Sequence, residues 1–221
     1  RALGFGLSAV LLWSTVATAF KLTLAEFTPI QMLTMASIVS AIALIMICGV
    51  QGKLNQLSST FLSNPWYYLL LGLINPLAYY LILFKAYDLL PASQAQAINY
   101  SWAITLTLMA AVFLGQKIRS KDWIACGFSY LGVIVIATKG NVLGMEFESP
   151  LGVGLALLST LLWASYWILN TKNKAAPVVG VLLGFLVAIP FAIGLSIYEG
   201  ANWSQITAKG WAAVTYVGLF E

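Results

Sequence analysis

From Ile98 to Gly115 the chain reads INYSWAITLTLMAAVFLG. It carries no charge over a length close to the roughly 20 residues a helix needs to cross hydrocarbon, and that reading decides the fold. Yet the run opens on Asn99, Tyr100, Ser101 and Trp102, whose polar atoms lipid does not solvate. Polar side chains in a spanning helix face partners or a wet cavity, so the opening of this run marks an inward surface.

The rest of the chain repeats the pattern. Hydrophobic residues make up 61% of the 221 and charged residues 8%, against about 45–50% and 25% in a soluble domain. The quoted stretch belongs to an uncharged run from Ala92 to Gly115; further ones cover Ala2–Phe20, Pro29–Val50, Pro65–Phe84, Trp123–Thr138, Pro150–Thr171 and Ala175–Tyr198, and an eighth begins at Gly210. The fifth run, Trp123–Thr138, is short, and Lys121 and Lys139 at its ends are able to snorkel and extend it. The fold class expected is an all-α polytopic membrane protein. The net charge of +4 comes from single or clustered loop cations, not a basic stripe, so nucleic acid is not an expected partner. Cys48 and Cys126 lack motif spacing and read as unpaired and structural. With no histidine, the commonest general base and metal ligand is missing, and neither an enzyme nor a metal or cofactor site is expected.

Orientation follows from Lys and Arg in short loops. A cytoplasmic N-terminus places Arg1, Lys53, Lys117, Arg119, Lys121, Lys172 and Lys174 inside and Lys21, Lys85, Lys139 and Lys209 outside. Seven against four favours that orientation. Trp66, Trp123, Trp203 and Trp211 stand near run ends, as interfacial anchors do, whereas Trp13, Trp102, Trp163 and Trp167 lie well inside.

GFGLSAVLLWST from Gly4 matches GVGLALLSTLLWAS from Gly152 when Trp13 is set on Trp163. Carried forward, WYYLLLGLIN from Trp66 falls on WAAVTYVGLFE from Trp211, with Gly72 on Gly218 and Asn75 on Glu221. The first copy holds five helices (residues 1–140) and the second begins at Pro150 (residues 150–221, helices 6–8). An odd number per copy gives an inverted-topology repeat, the plan of many secondary transporters. A completed second copy gives ten helices, of which about seven and a half are present here.

These motifs, LLWST at Leu11–Thr15, LLWAS at Leu161–Ser165, NYSWAITLTLMAAVFLGQKI and GFSYLGVIVIA from Gly127, resemble the drug/metabolite transporter superfamily with EamA-type domains. Within it, NYSW followed by a long apolar run and LGQ looks most like the amino-acid exporters of the YddG type, which usually carry Asn-Tyr-Leu-Trp-Pro and Leu-Gly-Glu. Ser101, Ala103 and Gln116 depart from that pattern. The resemblance implies ten helices in two inverted repeats, residence in the bacterial inner membrane among lipid, and export of a small metabolite such as an amino acid. It is compatible with a monomer.

Candidate substrate-binding residues are the polar and aromatic side chains inside the runs. Ala95, Asn99 and Trp102 fall at i, i+4 and i+7, one helical stripe. Asn99 reads equally as a cavity residue or as interhelical packing. Asn75, Pro76, Tyr79 and Tyr80 centre the third run, where proline frees a carbonyl and kinks a helix, and Asn75 and Tyr79 share a face. Trp163, Tyr166 and Trp167 form an aromatic face that the repeat pairs with Trp13. Glu221 is the single acid within an apolar run. Aromatic walls suit an apolar or aromatic ligand and also hold organic cations. Together with what the resemblance implies, this makes export of neutral or aromatic amino acids by alternating access the first expectation. The alternatives are lipophilic cations or drugs, nucleotide-sugar-like cargo, and a non-transporting membrane subunit. A Walker-type Gly-x-x-x-x-Gly-Lys-Ser/Thr loop is missing, so ATP is not the expected driving force.

The orientation is open to direct test. A cysteine placed at Ser204 is expected to react with an impermeant maleimide added outside whole cells, and one at Ser58 to be protected until the cells are lysed. The reverse pattern means an external N-terminus.

Overall fold

Residues 2–143 and 148–220 are described by the computed structural model. The helices are α1 (Ala2–Leu24), α2 (Pro29–Val50), α3 (Gln56–Ser63), α4 (Pro65–Gly72), α5 (Tyr79–Leu89), α6 (Ala92–Asn99), α7 (Trp102–Leu114), α8 (Ser120–Ala137), α9 (Pro150–Asn170), α10 (Pro177–Tyr198) and α11 (Ala208–Phe220). No strand occurs among the described residues. Among the described residues six segments are long and apolar enough to span a membrane: Pro29–Val50, Pro65–Leu89, Ala92–Leu114, Ser120–Ala137, Pro150–Asn170 and Pro177–Tyr198. In the first helix the described apolar stretch is the shorter Leu11–Leu24. The fifth span begins at Ser120, earlier than its apolar run, because Asp122 Oδ2 accepts a 2.9 Å bond from the Arg119 N–H and starts the helix there.

Local sequence accounts for where the helices begin. Proline occupies the first turn of α2, α4, α9 and α10, where its missing N–H costs nothing and its fixed φ suits the helix. Thr28, Asn64 and Ser149 precede three of these prolines, and their side chains accept from Gln31, Tyr67 and Gly152 N–H. Gln31 Oε1 accepts in return from the Thr28 N–H at 2.8 Å, completing a capping box. Each such cap is worth about 1 kcal/mol.

Two of the expected continuous runs are interrupted. Between α4 and α5 the segment Leu73–Ala78 forms a wide turn in which Asn75 leaves helical geometry (φ −142°, ψ 119°) ahead of a cis bond to Pro76. That break ends the i, i+4 register, so Asn75 and Tyr79 do not share a helix face. The fourth run loosens at Tyr100–Ser101, where the Ser101 N–H turns to Ile98 O at 3.1 Å, a three-residue bond in place of a four-residue one.

Two compact units result: Arg1–Leu77 with Ala175–Glu221, and Ala78–Lys174. Each draws helices from both residues 1–140 and residues 150–221. In the first unit, α2 packs on α10, α11 on α1 and α2, and α4 on α10. In the second, α9 packs on α5, α6 and α7, and α8 on α6.

The first unit contains a matched pair of close approaches. A Cβ on Gly72 would lie 2.7 Å from Val187 Cβ and 2.9 Å from Gly184 O. One on Gly218 would lie 2.7 Å from Val39 Cβ and 2.7 Å from Ala36 O. Only glycine lets the helices approach this closely. Ser40 Oγ strengthens the second contact by donating to Gly218 O at 2.7 Å. At the other end of α11, the Glu26 carboxylate in the α1–α2 turn accepts from the Thr207 N–H (2.7 Å) and hydroxyl (2.7 Å). Phe27 meets Trp211 edge-on beside it, at a centroid distance of 5.4 Å. Bonding from the Thr207 hydroxyl, then from its N–H, holds the Glu26 pKa below its ordinary 4.5, with Lys209 adding to the shift.

Two outcomes follow. Gly72→Ala and Gly218→Ala are each expected to cost about 1–3 kcal/mol by overpacking, read as a loss of thermal stability in detergent, with no comparable loss for Gly4→Ala. A group whose pKa is lowered by folding gives stability that is present above its unfolded value and lost as pH falls through the folded one. Glu26→Gln is therefore expected to melt below the parent at pH 7, and the gap to close as pH drops beneath 4.5.

Candidate functional site

The unit Ala78–Lys174 assembles most of the residues that the sequence singles out. Its frame is a polar seam between the fourth run and α9. Asn99, 5% exposed at the end of α6, donates its amide to Ser159 Oγ at 2.9 Å and to Tyr79 OH at 3.4 Å. Ser159 passes its own proton to Ala156 O at 2.6 Å. On the other side of the loosened turn, Thr105 Oγ1 lies 3.0 Å from Thr160 Oγ1, whose proton is committed to Leu157 O at 2.7 Å. Thr160 therefore accepts and Thr105 donates. Tyr130 OH of α8 is 3.4 Å from Thr105.

Trp163 follows Ser159 by one helical turn and is the centre of an aromatic group. Tyr79 lies at a centroid distance of 4.7 Å and tilted by 35°. Trp102 stands edge-on at 6.3 Å, Tyr166 lies at 6.1 Å and Trp167 edge-on at 6.1 Å. Tyr80 joins through Tyr79 at 4.8 Å. The distances are those of favourable offset and edge-to-face pairs. The Trp163 Nε1–H is buried and meets no acceptor among the described residues. An unmet buried donor costs about 1–3 kcal/mol.

Trp167 also lines a cleft of about 300 Å³ with Leu106, Ala110, Leu114, Ile168 and Gln116. It lies between the C-terminal ends of α7 and α9, so one indole belongs to both the aromatic group and the cleft. Lys85, near the end of α5, is tied to Asp88 at 2.7 Å.

Tyr79, Tyr80, Asn99, Trp102, Trp163, Tyr166 and Trp167 are thus brought together. Trp13, 43% exposed, and Asn75, whose buried Oδ1 has no donor among the described residues, belong to the other unit. Glu221 lies outside the described residues. For Asn99 both amide hydrogens meet partners within the protein. Sequence reasoning passes over Ser159, Thr160, Thr105 and Gln94. The Gln94 side chain is 5% exposed, and its Oε1 has no donor among the described residues. The available signal was the polar pair Ser159-Thr160 inside LALLSTLLW.

Comparison with known proteins supplies the biological setting. The model of the EamA-like transporter family matches residues 1–138. The aromatic amino acid exporter YddG of Ancylobacter novellus is 24% identical over 217 residues, which cover 97% of this chain and 73% of the relative. A protein of known crystal structure shares the fold with a TM-score of 0.70 and 22% identity, over 97% of this chain and 72% of that one.

Proposed function

Because the chain belongs to the EamA-like transporter family, we propose that it exports amino acids, aromatic ones foremost, through the ring-lined surface around Trp163. The observation that carries the cargo reading is the buried Trp163 Nε1–H without an acceptor, set among Tyr79, Trp102, Tyr166 and Trp167. An arriving carboxylate or carbonyl oxygen satisfies the indole, while the rings supply apolar area and stacking geometry. The similar exporter from Ancylobacter novellus supports the same cargo class.

The chemistry also ranks the alternatives. An N–H donor aimed at the cargo opposes a cation there, although ring faces by themselves attract one. Phosphorylated cargo calls for an unpaired Lys or Arg near the site, and Lys85 is already held by Asp88.

The proposed mechanism is rocking of repeat-derived helix groups about a midplane site, in the inner membrane with the N-terminus cytoplasmic. Supporting the inverted repeat are the Gly72 and Gly218 contacts. Each glycine meets a valine Cβ and the carbonyl three residues before that valine: Val187 and Gly184 for one, Val39 and Ala36 for the other. The helix pairings agree, because exchanging the first, second and third helices for the sixth, seventh and eighth maps α9 on α5 to α1 on α11. The same exchange maps α10 on α4 to α2 on α11. The repeat copies remain residues 1–140 and 150–221.

Saturable uptake of labelled phenylalanine into proteoliposomes is expected to fall at least tenfold in Trp163→Ala, with leucine less affected. Trp163→Phe, which keeps a ring but removes the donor, is expected to raise KM about tenfold, the worth of a hydrogen bond to a charged group. Parent protein that is folded yet moves no amino acid defeats this cargo assignment.

A further inference from the structure

Resting on the reading of the Trp163 group as the cargo site, we propose that Asn99 is a positioning residue. It does not touch cargo. It fixes the end of α6 to α9 and holds the Tyr79 ring against Trp163.

A primary amide has two N–H donors. Both of Asn99's are occupied, one by Ser159 Oγ at 2.9 Å and the other, more weakly, by Tyr79 OH at 3.4 Å. Ser159 is fully buried, and its proton goes to Ala156 O, so its oxygen is oriented to receive the amide. Donating to cargo would require one of these bonds to break, and both partners, Ser159 and Tyr79, are buried.

The location gives the clamp its effect. Ser159 and Trp163 are four residues apart on α9 and therefore share a face. Asn99 precedes the loosened turn at Tyr100–Ser101, and Trp102 follows it. The Thr105–Thr160 bond at 3.0 Å closes the far side. Trp102 is thus carried between two hydrogen-bonded rungs, Asn99–Ser159 and Thr105–Thr160, which bring its ring edge-on to Trp163 at 6.3 Å. On the opposite flank, Asn99 tethers the Tyr79 hydroxyl while that ring lies 4.7 Å from Trp163. One buried amide therefore sets the spacing of two rings about the central indole. Its loss loosens the wall that distinguishes a planar aromatic side chain from an aliphatic one, and leaves the indole donor intact.

The test uses the full chain in proteoliposomes, with Asn99→Ala, Ser159→Ala, the double variant and Trp163→Ala. Two readouts are taken: near-ultraviolet circular dichroism of the cargo-free protein, and KM and Vmax for labelled phenylalanine and leucine. Asn99→Ala and Ser159→Ala are each expected to weaken the aromatic dichroism and raise the phenylalanine KM about fivefold, the size of one ordinary hydrogen bond. Vmax and the leucine KM stay within about twofold, and the double variant is no worse than Asn99→Ala, which already loses the bonds to both Ser159 and Tyr79. Additive effects, or loss of uptake of both amino acids with unchanged dichroism, overturn the proposal. Should Asn99→Ala fail to fold, Ser159→Ala cuts the same bond from the other side and carries the same readings. Unchanged phenylalanine uptake in Trp163→Ala refutes the cargo site alone, because the dichroism and the coupling of the double variant still report on the clamp.

Discussion

Hydrocarbon offers a polar atom no partner, so every donor and acceptor that enters a span is satisfied within the protein or left at a cost. The seam between α6, α7 and α9 is organised by that constraint. Ser159 and Thr160 bond back to their own helix, as hydroxyls in helices commonly do. Each still has a lone pair to offer, and Asn99 and Thr105 reach across to use them. The result is a register lock between helices that apolar side chains alone would hold less specifically.

The same constraint explains how two spans tolerate interruption. Proline at position 76 removes a donor, and the turn around Asn75 releases backbone groups that a continuous helix would pair. Ser101 achieves a milder loosening by taking a three-residue bond. Such breaks survive at membrane depth where protein surrounds them. Discontinuous helices also mark the midplane sites of secondary transporters. Here the loosened turn sits between the rung that holds Asn99 and the ring of Trp102, so local backbone freedom lies next to the aromatic wall.

How much of this is legible in the sequence depends on the signal each feature leaves. Spans are plain because 61% apolar composition and charge-free runs leave little choice. Helix starts are plain where Pro29, Pro65, Pro150 and Pro177 stand in first turns. The kink at Pro76 is also visible, but the break falls on Asn75, and that removes a face predicted from spacing. Nothing at Tyr100–Ser101 announces a loosened turn, since neither residue is proline or glycine. Ser159 and Thr160 pass unnoticed because small hydroxyls in an apolar run ordinarily satisfy themselves on the preceding turn. Their second bond depends on which helix lies opposite, and that is a tertiary fact. Trp163 stands out from spacing and from the repeat together, whereas its unmet donor emerges only once the neighbouring atoms are placed.

The proposed roles of Asn99 and Trp163, one a support and the other a contact, rest on satisfaction more than on polarity. Both are polar-tipped side chains inside apolar runs, and both are candidates on the same sequence argument. The amide of Asn99 has both hydrogens engaged, so a ligand there must compete with existing bonds. The Nε1–H of Trp163 is buried and unengaged, so a ligand oxygen gains a bond without breaking one. A site built this way discriminates by what it leaves unpaired: cargo bearing an acceptor relieves a standing cost, while cargo without one prolongs it. In the proposed site the rings read the shape of whatever the indole holds, and the proposed clamp at Asn99 keeps those rings at fixed spacing while they do so.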